Sequence, residues 1–169
     1  MLGVVHHALT KFTFMKKNIT LFVWLLILSI SVVNGQDKSF DAPKKSNLIT
    51  VSKKDTALQF LLQYARHLQD FGFSVDRIDK ELLSFSTDFK TYKFGGIAVI
   101  KITVFARQNG DTAKLEIKGK IEVSNADGGK FPYDACNCGL PGDARKNAFK
   151  EMLKTLESFP VDKIEFIIK

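Results

Sequence analysis

Cysteine and histidine are scarce in this chain of 169 residues, and their scarcity limits the chemistry it can support. The only two cysteines, Cys136 and Cys138, are separated by one residue, and His67 is the only histidine beyond the first 35 positions. A tetrahedral zinc site needs four ligands from cysteine, histidine or carboxylate side chains. The sequence therefore predicts no metal site, and no motif in it indicates a cofactor.

Charge is absent from Ile19–Val33, an apolar run of fifteen residues that follows Lys16 and Lys17 and precedes Gly35. A membrane-spanning helix needs about 20 apolar residues, so this run has the length of a signal peptide. We expect residues 1–35 to be an N-terminal extension and signal peptide, cleaved after Gly35. A retained membrane anchor is the alternative.

No cysteine precedes Cys136, so the signal cannot be that of a lipoprotein, whose acylated cysteine follows the cleavage site. The mature protein is therefore expected in the periplasm or secreted, with no stable membrane span. Residues 1–14 contain no acid, and we expect the true start to be Met15.

The basic residues are not concentrated in any one segment. Cleavage after Gly35 removes three lysines and no acid, which leaves 22 basic and 18 acidic residues and a net charge of +4. A nucleic-acid-binding protein would cluster its lysines and arginines on one helix or stripe. We expect no nucleic-acid partner.

Signals for an enzyme are also missing. Three acids crowd one hairpin end, namely Asp76, Asp79 and Glu81. A catalytic carboxylate pair needs an enclosed site that shifts a pKa, and no sequence feature indicates such a site. Ser84, Ser86 and Thr87 lack the glycines of a nucleophile elbow. The doublets Gly95-Gly96 and Gly128-Gly129 lack the flanking pattern of a phosphate loop.

The spacing of apolar residues predicts two helices, one over Asp55–Phe71 and one from the cap Asp143 to Phe159. The predicted strands are Leu48–Val51, Phe73–Ile78, Leu82–Phe89, the two strands of Gly96–Ser124, and Lys163–Ile168. The segment 125–142 is predicted to be a long loop that is functional, locally stapled or mobile. Residues 36–47 are expected to form a flexible linker before a single domain, 48–169.

The two strands of Gly96–Ser124 flank Asn109-Gly110, a dipeptide that favours a two-residue hairpin turn. With that turn, Ala98 lies opposite Ile121, Lys101 opposite Lys118, and one face of the hairpin carries no polar residue. The element order predicts an α+β fold with a single antiparallel sheet (β-α-β4-α plus a short C-terminal strand) and both helices on one face. A helix-grip fold is the alternative.

Two stretches carry a resemblance to known families: Leu68-x-x-x-Gly72-Phe73-x-Val75-Asp76 and Leu83-Ser84-Phe85-Ser86-Thr87. In layout the region 48–160 resembles the TATA-binding-protein-like fold. It is similar to small exported bacterial domains such as the lipoprotein C component of the outer-membrane β-barrel assembly machinery. The resemblance implies a structural or adaptor role and no catalytic residue, and the chain departs from those lipoproteins in lacking the lipid-attachment cysteine.

Cys136 and Cys138 leave several interpretations open. In an oxidising compartment two such cysteines usually pair, and this spacing is just within the reach of a disulfide. Free thiols, an intermolecular bridge, a thiol-exchange site and a metal site are the alternatives.

The outer side of the predicted hairpin is the candidate partner surface. Ile97, Val99 and Phe105 are apolar residues on the side that should face water, and Lys101 and Lys118 could receive an acidic group. The alternative is that the closing strand or the long loop covers them. We therefore expect a non-enzymatic envelope or secreted adaptor or ligand-binding module that contacts an envelope protein or self-associates. A thiol-based redox or metal-handling protein using the Cys136–Cys138 loop is the alternative function.

Overall fold

A computed structural model describes residues 40–93, 97–124 and 128–168. They belong to a unit that extends from Lys38 to Lys169. The expected signal peptide, residues 1–35, lies outside the described residues. Within the described ranges, no helix has both the length and the hydropathy to cross a membrane.

The described residues form eight strands and two helices. In chain order they are β1 (Leu48–Lys53), α1 (Ala57–Asp70), β2 (Val75–Asp79), β3 (Ser84–Thr87), β4 (Lys90–Lys93), β5 (Ile97–Asn109), β6 (Thr112–Ser124), β7 (Lys130–Asp134), α2 (Ala144–Glu157) and β8 (Lys163–Ile167).

All eight strands belong to one antiparallel sheet, with the long β5–β6 hairpin at its centre. Strands β3 and β4 pair with different parts of β5, while β1 and β7 pair with different parts of β6. The outermost pairings are β2 with β3 and β8 with β1. The α+β class and the single antiparallel sheet are therefore confirmed.

The register of the central hairpin differs from the predicted one. Asn109 pairs with Thr112, so the two turn residues are Gly110 and Asp111, and Ala98 lies opposite Val123 rather than Ile121. Gly110 has a φ of 61°, as a glycine at the first central position of a hairpin turn should. Every partner thus shifts by two residues, which leaves each side chain on the face that the sequence pattern predicts.

The inward face of the sheet and one face of each helix form a single core. Ile100, Ile102 and Val104 of β5 are fully buried there. Helix α1 begins after Thr56, whose hydroxyl accepts a hydrogen bond from the Gln59 N–H. Helix α2 begins after Asp143, the cap that the sequence predicts.

Two strands lie where the sequence predicts connections. Strand β4 occupies the expected link before the hairpin, and β7 lies inside the expected loop. Ala135 donates its N–H to Gly119 O (2.9 Å), and the alternation of an antiparallel ladder then turns the backbone nitrogen of Pro132 away from β6. A proline is tolerated on such a free edge, so β7 forms in spite of it.

The two helices contact each other through a polar network. Thr155 Oγ1 donates to Met152 O (2.7 Å) and therefore accepts from the Tyr64 hydroxyl (2.8 Å). Burial raises the pKa of Tyr64 far above its ordinary value. His67 Nε2 donates to Thr155 O (2.7 Å).

The polar neighbours Arg66, Gln69 and Asp70 predict that His67 faces water, and this prediction is wrong. Its ring is half-buried, 4.9 Å from the ring centroid of Phe159 and 5.0 Å from that of Phe71. One helical turn separates His67 from Tyr64, so both side chains lie on the flank of α1 that faces α2.

We predict that Gly119→Ala lowers the free energy of unfolding by about 1–3 kcal/mol, as overpacking typically does. A Cβ at this position would overlap Met152 Sδ and lie 2.9 Å from Ala135 Cβ. Urea unfolding measures the loss. Adding Met152→Ala removes the overlapping sulfur, so the double variant should lose less than the sum of the two single losses. Additive losses would contradict this explanation.

Candidate binding surfaces

The structure places all five residues of the predicted partner surface on the sheet face opposite the helices, here called the outer face. They are Ile97, Val99, Lys101 and Phe105 on β5 and Lys118 on β6. Ile97 is 61% exposed and Phe105 is 39% exposed. Both described helices pack on the other face, so neither covers these side chains.

The five residues do not form one patch. Ile97 and Phe105 are eight positions apart on the same strand, about 26 Å at the rise of a β-strand. Val99 pairs with Thr91 of β4 and Glu122 of β6 and extends the Ile97 end of the surface. The sequence analysis missed Phe89, which is 46% exposed. Its ring centroid is 5.8 Å from Lys101 Nζ, so it adds to this end.

The two lysines among these five residues have different surroundings. Lys101 lies opposite Lys120, so the predicted pair of Lys101 with Lys118 is wrong, and Lys101 Nζ is 3.9 Å from an Asp76 carboxylate oxygen. Lys118 lies opposite Thr103 with its Nζ 6.0 Å from the ring centroid of Phe105. Of these two lysines, Lys118 and not Lys101 is therefore available to an acidic partner.

The loop after β7 contains the two cysteines, whose Cα atoms are 5.2 Å apart and whose sulfur atoms are joined in the structure. Asn137, between them, is a centre of hydrogen bonding. Its side-chain amide donates to Ala42 O (2.5 Å) and Pro43 O (3.1 Å). Its backbone N–H donates to Ser46 O (2.7 Å), and its backbone oxygen accepts from the Lys45 N–H (2.8 Å).

The partners of Asn137 belong to residues 36–47, the segment expected to be a flexible linker. Within its described part, residues 40–47, Ser46 is fully buried and its hydroxyl donates to Pro43 O (2.8 Å). Asn47 donates its N–H to Ile167 O (3.1 Å) at the start of β1. The assignment of residues 36–47 as a flexible linker stays a prediction. Residues 42–47 lie alongside the cysteine loop and form one wall of a depression.

That depression consists of three adjoining cavities, here called the disulfide groove, with volumes of about 280, 420 and 210 Å³. The first shares Tyr133 and Arg145 with the second, and Lys45 and Cys138 with the third. The described lining residues are Lys44, Lys45, Asn47, Val123, Tyr133, Asp134, Cys136, Asn137, Cys138, Gly139, Asp143, Ala144, Arg145 and Lys146.

The ion pair between Asp143 and Arg145 lines the groove, and Arg145 contacts both of the two larger cavities. Arg145 Nη2 donates to Asp143 Oδ2 (2.7 Å) and Arg145 Nε donates to Asp143 Oδ1 (3.1 Å). The side-chain hydrogen bond from Arg145 is the main reason why the pKa of Asp143 lies below its usual value. The guanidinium carbon of Arg145 is also 5.9 Å from the ring centroid of Tyr133, which is 46% exposed.

Lys45 has an unusual backbone conformation at the rim of the groove. Its φ is +70°, a region that non-glycine residues rarely adopt and that costs about 1–2 kcal/mol. The hydrogen bond from its N–H to Asn137 O helps to hold this conformation. The backbone of Lys45 is therefore strained at a position whose side chain lines the groove.

Sequence analysis named Cys136 and Cys138 but missed the lysines and Tyr133 around them. The unusual length of the segment 125–142 was the available sequence signal of a functional region. Across 40–93, 97–124 and 128–168, no three His, Cys, Asp or Glu side chains come together as a metal site would require.

Comparison with known proteins places the chain in no family. No family model matches the sequence, and no curated protein is significantly similar to it. One similar solved structure is a DUF4468 family protein from Bacteroides ovatus, with a TM-score of 0.38 and 9% identity. The match covers 78% of this chain and 95% of that one. Such a similarity assigns no function, and the resemblance to the TATA-binding-protein-like fold and to the assembly-machinery lipoproteins stays a prediction.

We predict that Asn137→Ala destabilises the protein by about 1–3 kcal/mol, because the side-chain hydrogen bonds to Ala42 O and Pro43 O are both lost. A Cys136→Ser/Cys138→Ser double variant should lose less than roughly 1.5 kcal/mol, since the loop that the bond closes is very short. Urea unfolding measures both losses, and hydrogen exchange at the Lys45 amide reports release of the wall.

Asn147→Ala is the matched control, because Asn147 makes one long, exposed hydrogen bond to Gly142 O (3.4 Å). It should change stability by less than about 0.5 kcal/mol. A collapse of folding in the double cysteine variant, with Asn137→Ala close to wild type, would show that the covalent bond and not Asn137 holds this loop.

Proposed function

We propose that this protein is a non-enzymatic binding module of the cell envelope or the secreted fraction, and that its partner binds the outer face of the sheet. The observation that supports this best is the apolar group of exposed Ile97 and Phe89 and half-buried Val99, which neither described helix covers. An exposed apolar group flanked by charged side chains is typical of protein-binding surfaces.

Charge on the same face supports a partner with acidic as well as apolar side chains. Lys118 and Lys120 are exposed neighbours on one face of β6. Among the described residues, no carboxylate lies within 4.0 Å of either Nζ. A protein segment that places apolar side chains against Val99 and carboxylates against these lysines would complement the surface in shape and charge.

Replacing outer-face apolar residues tests the proposal. We predict that Val99→Ser/Phe105→Ser leaves the melting temperature nearly unchanged, because both side chains face away from the core, and weakens binding about tenfold or more. The partner is identified by photo-crosslinking from position 91, beside Val99, and its affinity is then measured with the purified partner. Sedimentation of the purified protein measures its oligomeric state and so tests whether the partner is a second copy of this chain.

Leu82→Ser is the matched control, since Leu82 is 73% exposed and lies outside the strands. It should leave binding unchanged. Unfolding of the Val99→Ser/Phe105→Ser variant would show that these side chains are core and that the partner surface lies elsewhere. Full binding by that folded variant would also refute the proposal.

Export is a separate part of the proposal. We predict that the protein recovered from the periplasmic or culture fraction begins at Gln36, because an uncharged run of signal-peptide length ends shortly before it. Intact mass spectrometry measures the N-terminus. A species that retains Ile19–Val33 would contradict cleavage, and an acylated species would contradict a mature protein without a lipid anchor.

Thiol exchange is the second candidate function, because Lys44, Lys45 and Lys146 line the cavity beside Cys138. Nearby cations favour the thiolate once the disulfide is reduced. In such a reaction a protein dithiol gives two electrons and two protons to the Cys136–Cys138 disulfide. The donor becomes a disulfide, and the two cysteines become thiols. Loss of either cysteine would abolish this exchange and leave binding at the outer face intact, which separates the two functions.

A further inference from the structure

The disulfide groove carries an excess of positive charge. Lys44, Lys45 and Lys146 line it, and none has a described carboxylate within 4.0 Å of its Nζ. Of the two acids in the described lining, Asp143 is neutralised by Arg145, which leaves Asp134 alone there against three lysines. The groove therefore favours an anionic ligand.

The form of the positive charge favours separate carboxylates over one compact phosphate. Arg145, the planar fork that binds phosphate well, already donates from two nitrogens to Asp143. The backbone N–H of Arg145 at the start of α2 also donates to Asp143 (2.8 Å), so this helix end is occupied. What remains is a set of lysines, which act as point charges along the groove.

The groove also has an apolar part. Val123, Tyr133 and Ala144 line its largest cavity, about 420 Å³, beside the Asp143–Arg145 pair. A side chain of the size of phenylalanine or leucine fits a space of this kind and would contact the exposed face of Tyr133. Charge and apolar surface in one depression are the features by which a peptide is recognised.

We propose that the disulfide groove binds an acidic peptide segment, with an apolar side chain against Tyr133 and carboxylates on Lys44, Lys45 and Lys146. The groove shares no lining residue with Ile97, Val99, Lys101, Phe105 or Lys118, so this binding is independent of the outer face. Hydrogen bonds at Asn137 hold the wall that carries Lys44 and Lys45 before any ligand arrives.

Lys45 allows a test in which stability and binding change in opposite directions. Because its φ is +70°, Lys45→Gly relieves backbone strain and should leave the protein as stable as wild type or more stable. The same substitution removes a groove lysine. A loss of binding in this variant therefore cannot come from misfolding.

The probe is an acetylated, amidated Glu-Glu-Phe-Glu-Glu peptide, titrated into the protein by calorimetry at low ionic strength. Lys45→Gly and Lys146→Ala should each weaken its affinity about fivefold, and added salt should weaken binding to the wild type. Lys150→Ala is the matched control, one turn further along α2 and outside the groove lining. It should bind as wild type, as should Val99→Ser/Phe105→Ser.

Several outcomes would overturn the proposal. One is the absence of binding of the acidic peptide to the wild type at millimolar concentration. Another is binding by Lys45→Gly and Lys146→Ala as tight as that of the wild type. If a Gln-Gln-Phe-Gln-Gln peptide bound as tightly as the acidic peptide, the carboxylates would contribute nothing to binding. Tighter binding of a sulfated oligosaccharide or of inorganic phosphate through the same lysines would replace the peptide by that ligand class.

Discussion

The constraint on which the structure depends is the close approach of α2 to the centre of β6. Gly119 has no side chain, so Met152 and Ala135 can reach the sheet at that point. On either side of it, the alternating apolar residues of β5 and β6 fill the space beneath both helices. Sheet and helices are thus held by one continuous core, and the short flanking strands gain their order from it.

This arrangement leaves two surfaces with different chemistry. Neither described helix packs against the outer face of the sheet, and its apolar side chains Ile97 and Phe105 remain exposed. The disulfide groove lies where β7, α2 and the segment before β1 meet, and its walls are held by backbone hydrogen bonds. The first surface is open and suits a broad protein contact, whereas the second is concave and basic and suits a narrow anionic segment.

The hydrogen bonds of Asn137 show how a connection becomes a defined wall. A loop rich in glycine, proline and asparagine has little intrinsic order. Here the side chain and the backbone of a single residue bind the chain at Ala42, Pro43, Lys45 and Ser46. Such contacts between residues more than 90 positions apart arrange lysines that are distant in sequence around the two cysteines.

Local pattern determined much of this fold. Alternation of apolar residues predicted which face of β5 and β6 is buried, and helical spacing predicted both helices within about two residues of their ends. The α+β class followed from these elements. Both signals are local, because a side chain's face depends only on its position in a regular repeat.

Tertiary structure alone decided the hairpin register, the strands β4 and β7, the inward position of His67 and the whole disulfide groove. Register depends on which residues occupy the turn, and a shift of two residues leaves the hydrophobic pattern unchanged. Strand β4 has Tyr92 as its one apolar side chain, and Pro132 interrupts β7, so neither segment shows the sequence pattern of a strand. Their order comes from pairing with β5 and β6. The groove joins Lys45 to Lys146 across about 100 residues of chain, and no local pattern records a contact that the packing of the whole chain creates.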